Sequence, residues 1–466
     1  MHIGNLRSAL YGYLFARHNK GRFLLRIEDT DTERYVEGAT DIIYRTLKSV
    51  GMFWDEGPDV GGDFGPYVQS ERKSMYLPYA EQLIRSGHAY RCFCTEEELN
   101  ERREAAAARG ETFRYDKRCL DLTEEEIQAK LDAGVPYVIR QNIPSTGTIS
   151  FTDEIFGTIT VDCDTLDDNV LIKADGMPTY NFANVIDDHT MHITHVMRGM
   201  EYLSSTPKYN LLYEAFGWEI PKYIHMTPIM KDAQHKLSKR NGDASYEDLL
   251  AKGYLKEAII NYIALLGWNP GDEREKFTLD ELIEAFSIEG MSKSPAIFDP
   301  VKLLWLNFEY MRALDPKDWT DAAMPYFEKA GIDRMDRDVL CRILQPRVEL
   351  FPQIPDMVDF LAALPEYDTE LFTNKKSKTN PEVAARVLDI AIPALEALPA
   401  WTEEALHDTL IGLAEQNGMK NGTMLWPVRI AMAGRQVTPG GAIEIGFLLG
   451  RDETLRRLKL GRAKLA

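Results

Sequence analysis

Residues 1–31 read MHIGNLRSALYGYLFARHNKGRFLLRIEDTD. Leu6, Leu10, Tyr13 and Leu14 recur at helical spacing, and Gly21 is placed to stop the helix. Phe23-Leu24-Leu25-Arg26-Ile27 is an apolar run of strand length that ends in Glu28-Asp29-Thr30-Asp31. A second helix follows, with Ile42, Ile43, Leu47 and Val50 on one face and Gly51 after it. Helix, strand, acidic loop and helix make half of a doubly wound α/β domain. In such sheets ligands sit at the C-terminal ends of the strands, where Glu28 to Asp31 stand.

Working outward, residues 55–67 form a Gly/Pro/Asp-rich loop. Residues 73–135 read as helical with a cysteine-containing turn in the middle. Residues 146–162 alternate around Phe156-Gly157, which predicts a β-hairpin. From Asn169 to about Lys231 the α/β style returns, with a helix from Pro207 to Phe216 and a strand near Tyr223 to Met230. This predicts a nucleotide-binding domain split by an insertion. From about residue 240 the pattern is almost wholly helical, broken at Pro300, Pro316, Pro346, Pro352, Pro355 and Pro365.

Composition bounds the reading. At 466 residues the chain has room for about three or four domains. No apolar stretch approaches the roughly 20 residues needed to span a bilayer. The formal charge of −19 disfavours non-specific binding to polyanions but leaves room for local basic patches. Five cysteines in such a length are no disulfide framework, and with no secretory signal the cytoplasm is the default.

Two constellations carry chemistry. His2-Ile3-Gly4-Asn5 opens a helix, where glycine allows close backbone approach to a phosphate and the helix N-terminus favours anions. A histidine there can donate to a phosphoryl oxygen. Lys236-Leu237-Ser238-Lys239-Arg240 places three cations within five residues on a loop after the Tyr223–Met230 strand. Such a loop can hold a triphosphate and stabilise charge developing at its α-phosphorus. Taken singly, each fits a solvated surface better than a site. Taken together, in two halves of one α/β domain, they resemble the signature pair of class I aminoacyl-tRNA synthetases.

The intervening motifs narrow the resemblance. Arg26-Ile27-Glu28-Asp29-Thr30-Asp31, Gln69-Ser70-Glu71-Arg72, Asp175-Gly176-Met177-Pro178-Thr179-Tyr180 and Asn184-Val185-Ile186-Asp187-Asp188-His189 all look like bacterial glutamyl-tRNA synthetase. Gln345-Pro346-Arg347 and the segment from Val428 to Gly441 extend the likeness over essentially the whole chain. Several long motifs in the right order make it specific.

The resemblance implies a Rossmann-like α/β catalytic domain split by an acceptor-binding insertion, then all-α stem-contact and anticodon-binding domains. The implied division is 1–76 and 177–235 for the catalytic halves and 77–176 for the insertion. Residues 236–315 would be the signature loop and stem-contact region, and 316–466 the anticodon-binding region. The implied reaction is glutamate–tRNA ligation. ATP activates L-glutamate to glutamyl-adenylate, and the acyl group passes to the 3′ end of tRNA(Glu), with no covalent enzyme intermediate. Magnesium would accompany ATP. The implied protein is a cytoplasmic monomer.

Residue roles follow from the same likeness. His2, Gly4 and Asn5 with Lys236, Ser238 and Lys239 would hold ATP, with His2, Lys236 and Lys239 catalytic. Arg198 would pair the substrate side chain, a bidentate task suited to arginine. Glu28 would pair the substrate ammonium. Tyr180 and Asn184, four apart and so able to share a helix face, would line the same pocket. The family also has a strand and turn ahead of the His-Ile-Gly-Asn motif. Here Met1 stands directly before His2, which predicts sheet neighbours with unpaired ladder groups.

Cys92-Phe93-Cys94 with Cys119 is a metal-like thiol set in a cytoplasmic chain. Zinc wants four ligands, and Tyr115 or Asp121 would supply the fourth. By resemblance to those synthetases that carry zinc in this insertion, the metal would be structural. A tRNA-modifying relative lacks an anticodon-binding region, and glutaminyl-tRNA synthetase ends in β-barrels, so the helical residues 316–466 weigh against both. The alternative of a different class is a non-catalytic tRNA-binding paralogue. The presence of Lys236, Lys239, Arg198, Glu28 and His2 weighs against it.

Overall fold

The structure is a computed structural model, and it describes residues 1–31, 38–237 and 245–466. The chain divides into two compact units. The first comprises Met1–Asp248 with Ile260–Phe298, the second Leu249–Ile259 with Asp299–Ala466.

In the first unit the opening helix runs Ile3–His18 and buries Leu6, Leu10, Tyr13 and Leu14, the face read from the sequence. Phe23–Ile27 is extended but less regular than a full strand. It pairs through single parallel bridges, Leu24 to Glu56 and Ile27 to Val68. The following helix is Ala39–Ser49. It buries Leu47 but leaves Ile42 40% exposed, so the apolar face is narrower than the sequence spacing implies.

The central sheet is mixed. His195–Gly199 and Lys222–Met226 pair in parallel, with Arg198 directly opposite His225. Lys222–Met226 also meets the strand Thr148–Asp153 in parallel, through Asp153 and Tyr223. Gly157–Asp162 closes the expected hairpin on that strand. The expected strand to Met230 is interrupted at Thr227-Pro228, and a short Ile229–Met230 strand pairs instead with Ala296–Ile297. Proline has no N–H to give a ladder, which accounts for the break. His195–Gly199 lies at the edge of its sheet. The opening helix touches both one-sided segments, through Tyr13 on Phe23 (5.4 Å between ring centroids) and Phe15 on His195 (4.7 Å).

Residues 73–135 depart from the all-helical expectation. Between the helices Lys73–Arg85 and Glu96–Ala108 lies a strand, Ala89–Cys92. It forms an antiparallel sheet with Val138–Gln141, which in turn pairs Val170–Ile172. Thr95 and Thr123 each begin a helix with a reciprocal capping box. The sheet holds Cys92 at its rim, while the helix Glu124–Asp132 buries no residue.

The second unit is helical. Its core runs from Trp319 and Phe327 through Leu388 and Leu410 to Ile430 and Leu458. Arg457 is fully buried within it. It donates to the carbonyls of Phe360 (2.6 Å) and Met432 (2.8 Å), and its Nε meets Glu453 at 2.6 Å. Among the described residues no helix is long and apolar enough to cross a membrane.

Candidate active site

His2 caps the opening helix. Its Nδ1 accepts from the Gly4 N–H at 3.0 Å, which leaves Nε2 as the protonated, donating nitrogen. A Cβ at Gly4 would stand 3.1 Å from that Nδ1, so glycine lets the ring fold over the helix start. The first turn carries no acidic residue, and the helix N-terminus keeps its preference for an anion. Lys236 is exposed and forms an antiparallel bridge with Met230. Ser238 and Lys239 lie outside the described residues.

Arg198 stands on the edge strand, half-buried. Its guanidinium lies over three tyrosine rings, with centroids at 4.9 Å (Tyr202), 4.8 Å (Tyr209) and 5.6 Å (Tyr223). Its Nε donates to His225 Nε2 at 3.3 Å and its Nη2 to Thr206 Oγ1 at 3.1 Å. Both acceptors are uncharged. Among the described residues no carboxylate comes within ion-pair distance of it. A half-buried cation held by neutral acceptors keeps its charge available to an anionic ligand.

Tyr180 begins the helix Tyr180–Thr190, and Asn184 lies one turn on, buried. The Tyr180 ring meets Tyr202 at 5.5 Å. Burial pushes the Tyr180 hydroxyl well above its ordinary range. Glu28 adds to the rise and Arg198 opposes it. Glu28 is exposed and accepts from Arg26 Nη2 at 2.9 Å. Arg26 also meets Asp188 at 2.9 Å. Burial opposes the Arg26 charge, but Asp188, Glu28 and Asp187 outweigh it and raise its pKa. Burial pushes the Asp188 carboxyl up, against the pull of Arg26. Of the four residues assigned to glutamate, Arg198 and Tyr180 share the Tyr202 ring, and Glu28 is paired with Arg26.

Sequence reasoning missed the surround of Arg198. Tyr202, Tyr209, Tyr223, Thr206 and His225 carry no motif that points to them. The one available signal is a histidine inside the otherwise apolar strand around Ile224 and Met226.

The thiols of Cys92, Cys94 and Cys119 lie within 4.8 Å of one another. Cys94 Sγ is 3.8 Å from Cys119 Sγ, the separation expected at about 3.8 Å for two thiolates on one tetrahedral zinc with bonds of about 2.3 Å. Tyr115 Oη is 3.1 Å from Cys92 Sγ and 3.4 Å from Cys94 Sγ. Asp121 is exposed and outside the group. Hydrogen bonding by Cys119, then Tyr115 and Arg140, holds the Cys92 thiol well below its ordinary range. The donor set fits a metal that binds thiolate.

An α/β unit with a helix start suited to an anion and an inserted sheet, together with a helical unit, has the architecture of a class I aminoacyl-tRNA synthetase. Residues 1–305 match the family described as tRNA synthetases class I (E and Q), catalytic domain, and residues 317–462 match an anticodon binding domain. The chain belongs to that class I synthetase family. It is 57% identical over 465 residues to the glutamate–tRNA ligase of Clostridium botulinum (strain Hall), covering 100% of this chain and 96% of that one. The Clostridium kluyveri glutamate–tRNA ligase is 56% identical with the same coverage. A solved glutamate tRNA ligase from Elizabethkingia meningosepticum, in complex with its amino acid, superposes with a TM-score of 0.90 at 36% identity. It covers 100% of this chain and 97% of its own. Glutamate-tRNA synthetase from Elizabethkingia anophelis gives a TM-score of 0.89 at 35% identity.

Proposed function

We infer that this protein is a glutamate–tRNA ligase. An oxygen of the glutamate α-carboxylate attacks the α-phosphorus of ATP, and pyrophosphate leaves. A ribose hydroxyl of the 3′-terminal adenosine of tRNA(Glu) then attacks the acyl carbonyl, and AMP leaves. Catalysis is positioning together with electrostatic stabilisation of developing charge.

The observation that carries amino-acid choice is Arg198: a half-enclosed cation among tyrosines, held by neutral acceptors. It pairs the substrate's side-chain carboxylate, and Tyr180 and Asn184 line that pocket. Glu28, at the rim, pairs the ammonium. His2 Nε2, with the helix start at Gly4 and Asn5, meets the phosphates of ATP. By the family likeness, Lys236, Ser238 and Lys239 would meet the same phosphates. Magnesium, bound with ATP, supplies counter-charge. Cys92, Cys94, Cys119 and Tyr115 would hold a zinc ion whose contribution is structural, tying the rim of the Ala89–Cys92 sheet to the segment around Cys119. The reaction's setting is the cytoplasm.

The test is charging of tRNA(Glu) with radiolabelled glutamate in the presence of ATP and magnesium. Glutamyl-tRNA formed in an ATP-dependent manner supports the ligase. Binding of tRNA with no charging would replace it with the non-catalytic paralogue.

A further inference from the structure

We infer that the buried Asp153–His225 pair positions Arg198, orienting its guanidinium while leaving its charge for the substrate. The inference rests on the reading of Arg198 as the residue that meets the side-chain carboxylate.

The geometry runs through three strands. Asp153 ends the strand Thr148–Asp153, and His225 and Arg198 are opposite partners on the next two. Asp153 and His225 are 1% and 0% exposed. Asp153 Oδ2 accepts from both the His225 backbone N–H (3.0 Å) and His225 Nδ1 (2.7 Å). Its Oδ1 accepts from the N–H groups of Ile155 and Phe156, each at 2.9 Å. The carboxylate is therefore locked from both sides. Burial alone would raise its pKa, but the bonds from His225, Phe156 and Ile155 outweigh that and lower it.

A carboxylate that accepts at Nδ1 fixes the proton on that nitrogen. Nε2 is then the acceptor of a neutral imidazole. Arg198 Nε donates to it at 3.3 Å. Thr206 Oγ1 is also 3.3 Å from Nε2, but its proton goes to the Tyr202 carbonyl at 2.9 Å. The hydroxyl therefore accepts from Arg198 Nη2 and leaves His225 Nε2 to Arg198 Nε. Two neutral acceptors thus fix one side of the guanidinium. The other side keeps N–H groups for a bidentate contact with a carboxylate.

The intervening imidazole has a physical consequence. A carboxylate placed directly on Arg198 would orient it as firmly but would also satisfy its charge, and the substrate would have to compete with it. With His225 between, Asp153 supplies orientation at second hand. His225 and Asp153 are thus positioning residues.

The experiment measures KM for glutamate, ATP and tRNA separately in the charging reaction, with the melting temperature recorded for each variant. His225→Leu removes the acceptor. Asp153→Asn keeps the size but offers an N–H to His225 Nδ1, which drives the imidazole proton to Nε2 and against Arg198. Each is expected to raise the glutamate KM roughly tenfold to a hundredfold, the scale of one lost hydrogen bond to a charged group, with the other two KM values unchanged. His225→Gln, which restores an acceptor near the Nε2 position, should recover part of the loss. Thr206→Val should raise the same KM through the other anchor. Arg198→Met separates the two claims. If it raises the glutamate KM while folded His225→Leu and Asp153→Asn leave it unchanged, the positioning role is wrong and the pocket reading stands. If Arg198→Met leaves it unchanged, the pocket reading itself fails. Should His225→Leu and Asp153→Asn both fail to fold while Thr206→Val charges with an unaltered glutamate KM, the pair is structural and the inference is overturned.

Discussion

Arg72 and Arg198 lie in the same unit, both withdrawn from solvent, and they are held by opposite chemistry. Arg72 is 1% exposed, and every arm of its guanidinium is engaged. Nε meets Asp187 at 2.7 Å, Nη1 meets the carbonyls of Phe64 and Pro66, and Nη2 meets Thr190. Asp187 also accepts from Gln69 (2.9 Å) and Tyr76 (2.9 Å). That cluster is closed: charge meets charge, and four hydrogen bonds hold the guanidinium. Arg198 is only half-buried, and its charge meets aromatic faces and neutral acceptors. Burial alone does not mark a binding cation. What marks it is orientation without neutralisation.

Breaking the closed cluster should have the largest effect. Arg72→Met removes the close cation of the buried Asp187 carboxylate, leaving Arg26 at 3.9 Å, and is expected to cost about 3 kcal/mol of stability. Chemical denaturation measures it. In whatever fraction remains folded, the glutamate KM should stay near that of the unaltered protein. A large rise in that KM with full stability would erase the contrast between the two arginines.

The rim of the open site comes next. Glu28→Gln removes the carboxylate assigned to the substrate ammonium and should raise the glutamate KM roughly tenfold or more, as for a lost hydrogen bond between charged groups. The ATP KM, measured alongside, should hold. An unchanged glutamate KM would return Glu28 to a plain partner of Arg26.

Metal removal sharpens a second contrast, between the substrate pocket and the thiol cluster. Metal analysis should find zinc in the protein, and Cys94→Ser should abolish it. The expected consequence is a lower melting temperature and a higher KM for tRNA, with glutamate and ATP values unmoved. Zinc retained by the Cys94→Ser chain would contradict the ligand set.

The smallest expected effect is on acid stability. The folded Asp153 carboxyl has a pKa below its unfolded value. Its contribution is therefore present above the unfolded carboxylate range, and it is lost as pH falls through that range towards the folded pKa. Asp153→Asn should flatten this acid limb by about 1 kcal/mol or less. Denaturation midpoints from mildly acidic pH down through the carboxylate range measure the slope; an unaltered slope would count against the lowered pKa.

Much of this was legible in the chain itself. The helix opened by His2, the hairpin around Phe156-Gly157, and the pairing of Tyr180 with Asn184 on one helix follow from spacing alone. The thiol cluster was legible too, because Cys92, Cys94 and Cys119 are close in sequence. The strand Ala89–Cys92 was not, since four residues between two helices show no alternation that periodicity can detect. Asp153, His225 and Arg198 were illegible as a group for a different reason. They come from three strands, 72 and 27 residues apart, and only sheet register brings them together. Ile42 shows the converse error: helical spacing assigns a face, but how much of that face is covered is decided by the neighbours.

Arg198 is held ready but unneutralised for an acidic side chain. The most direct measurement is the ratio of kcat/KM for glutamate and for glutamine, the neutral analogue of similar shape, in the charging reaction before and after Arg198→Met. The expected result is a strong preference for glutamate that collapses in the variant through loss on glutamate, with little change for glutamine. A folded Arg198→Met chain that keeps its preference would contradict it.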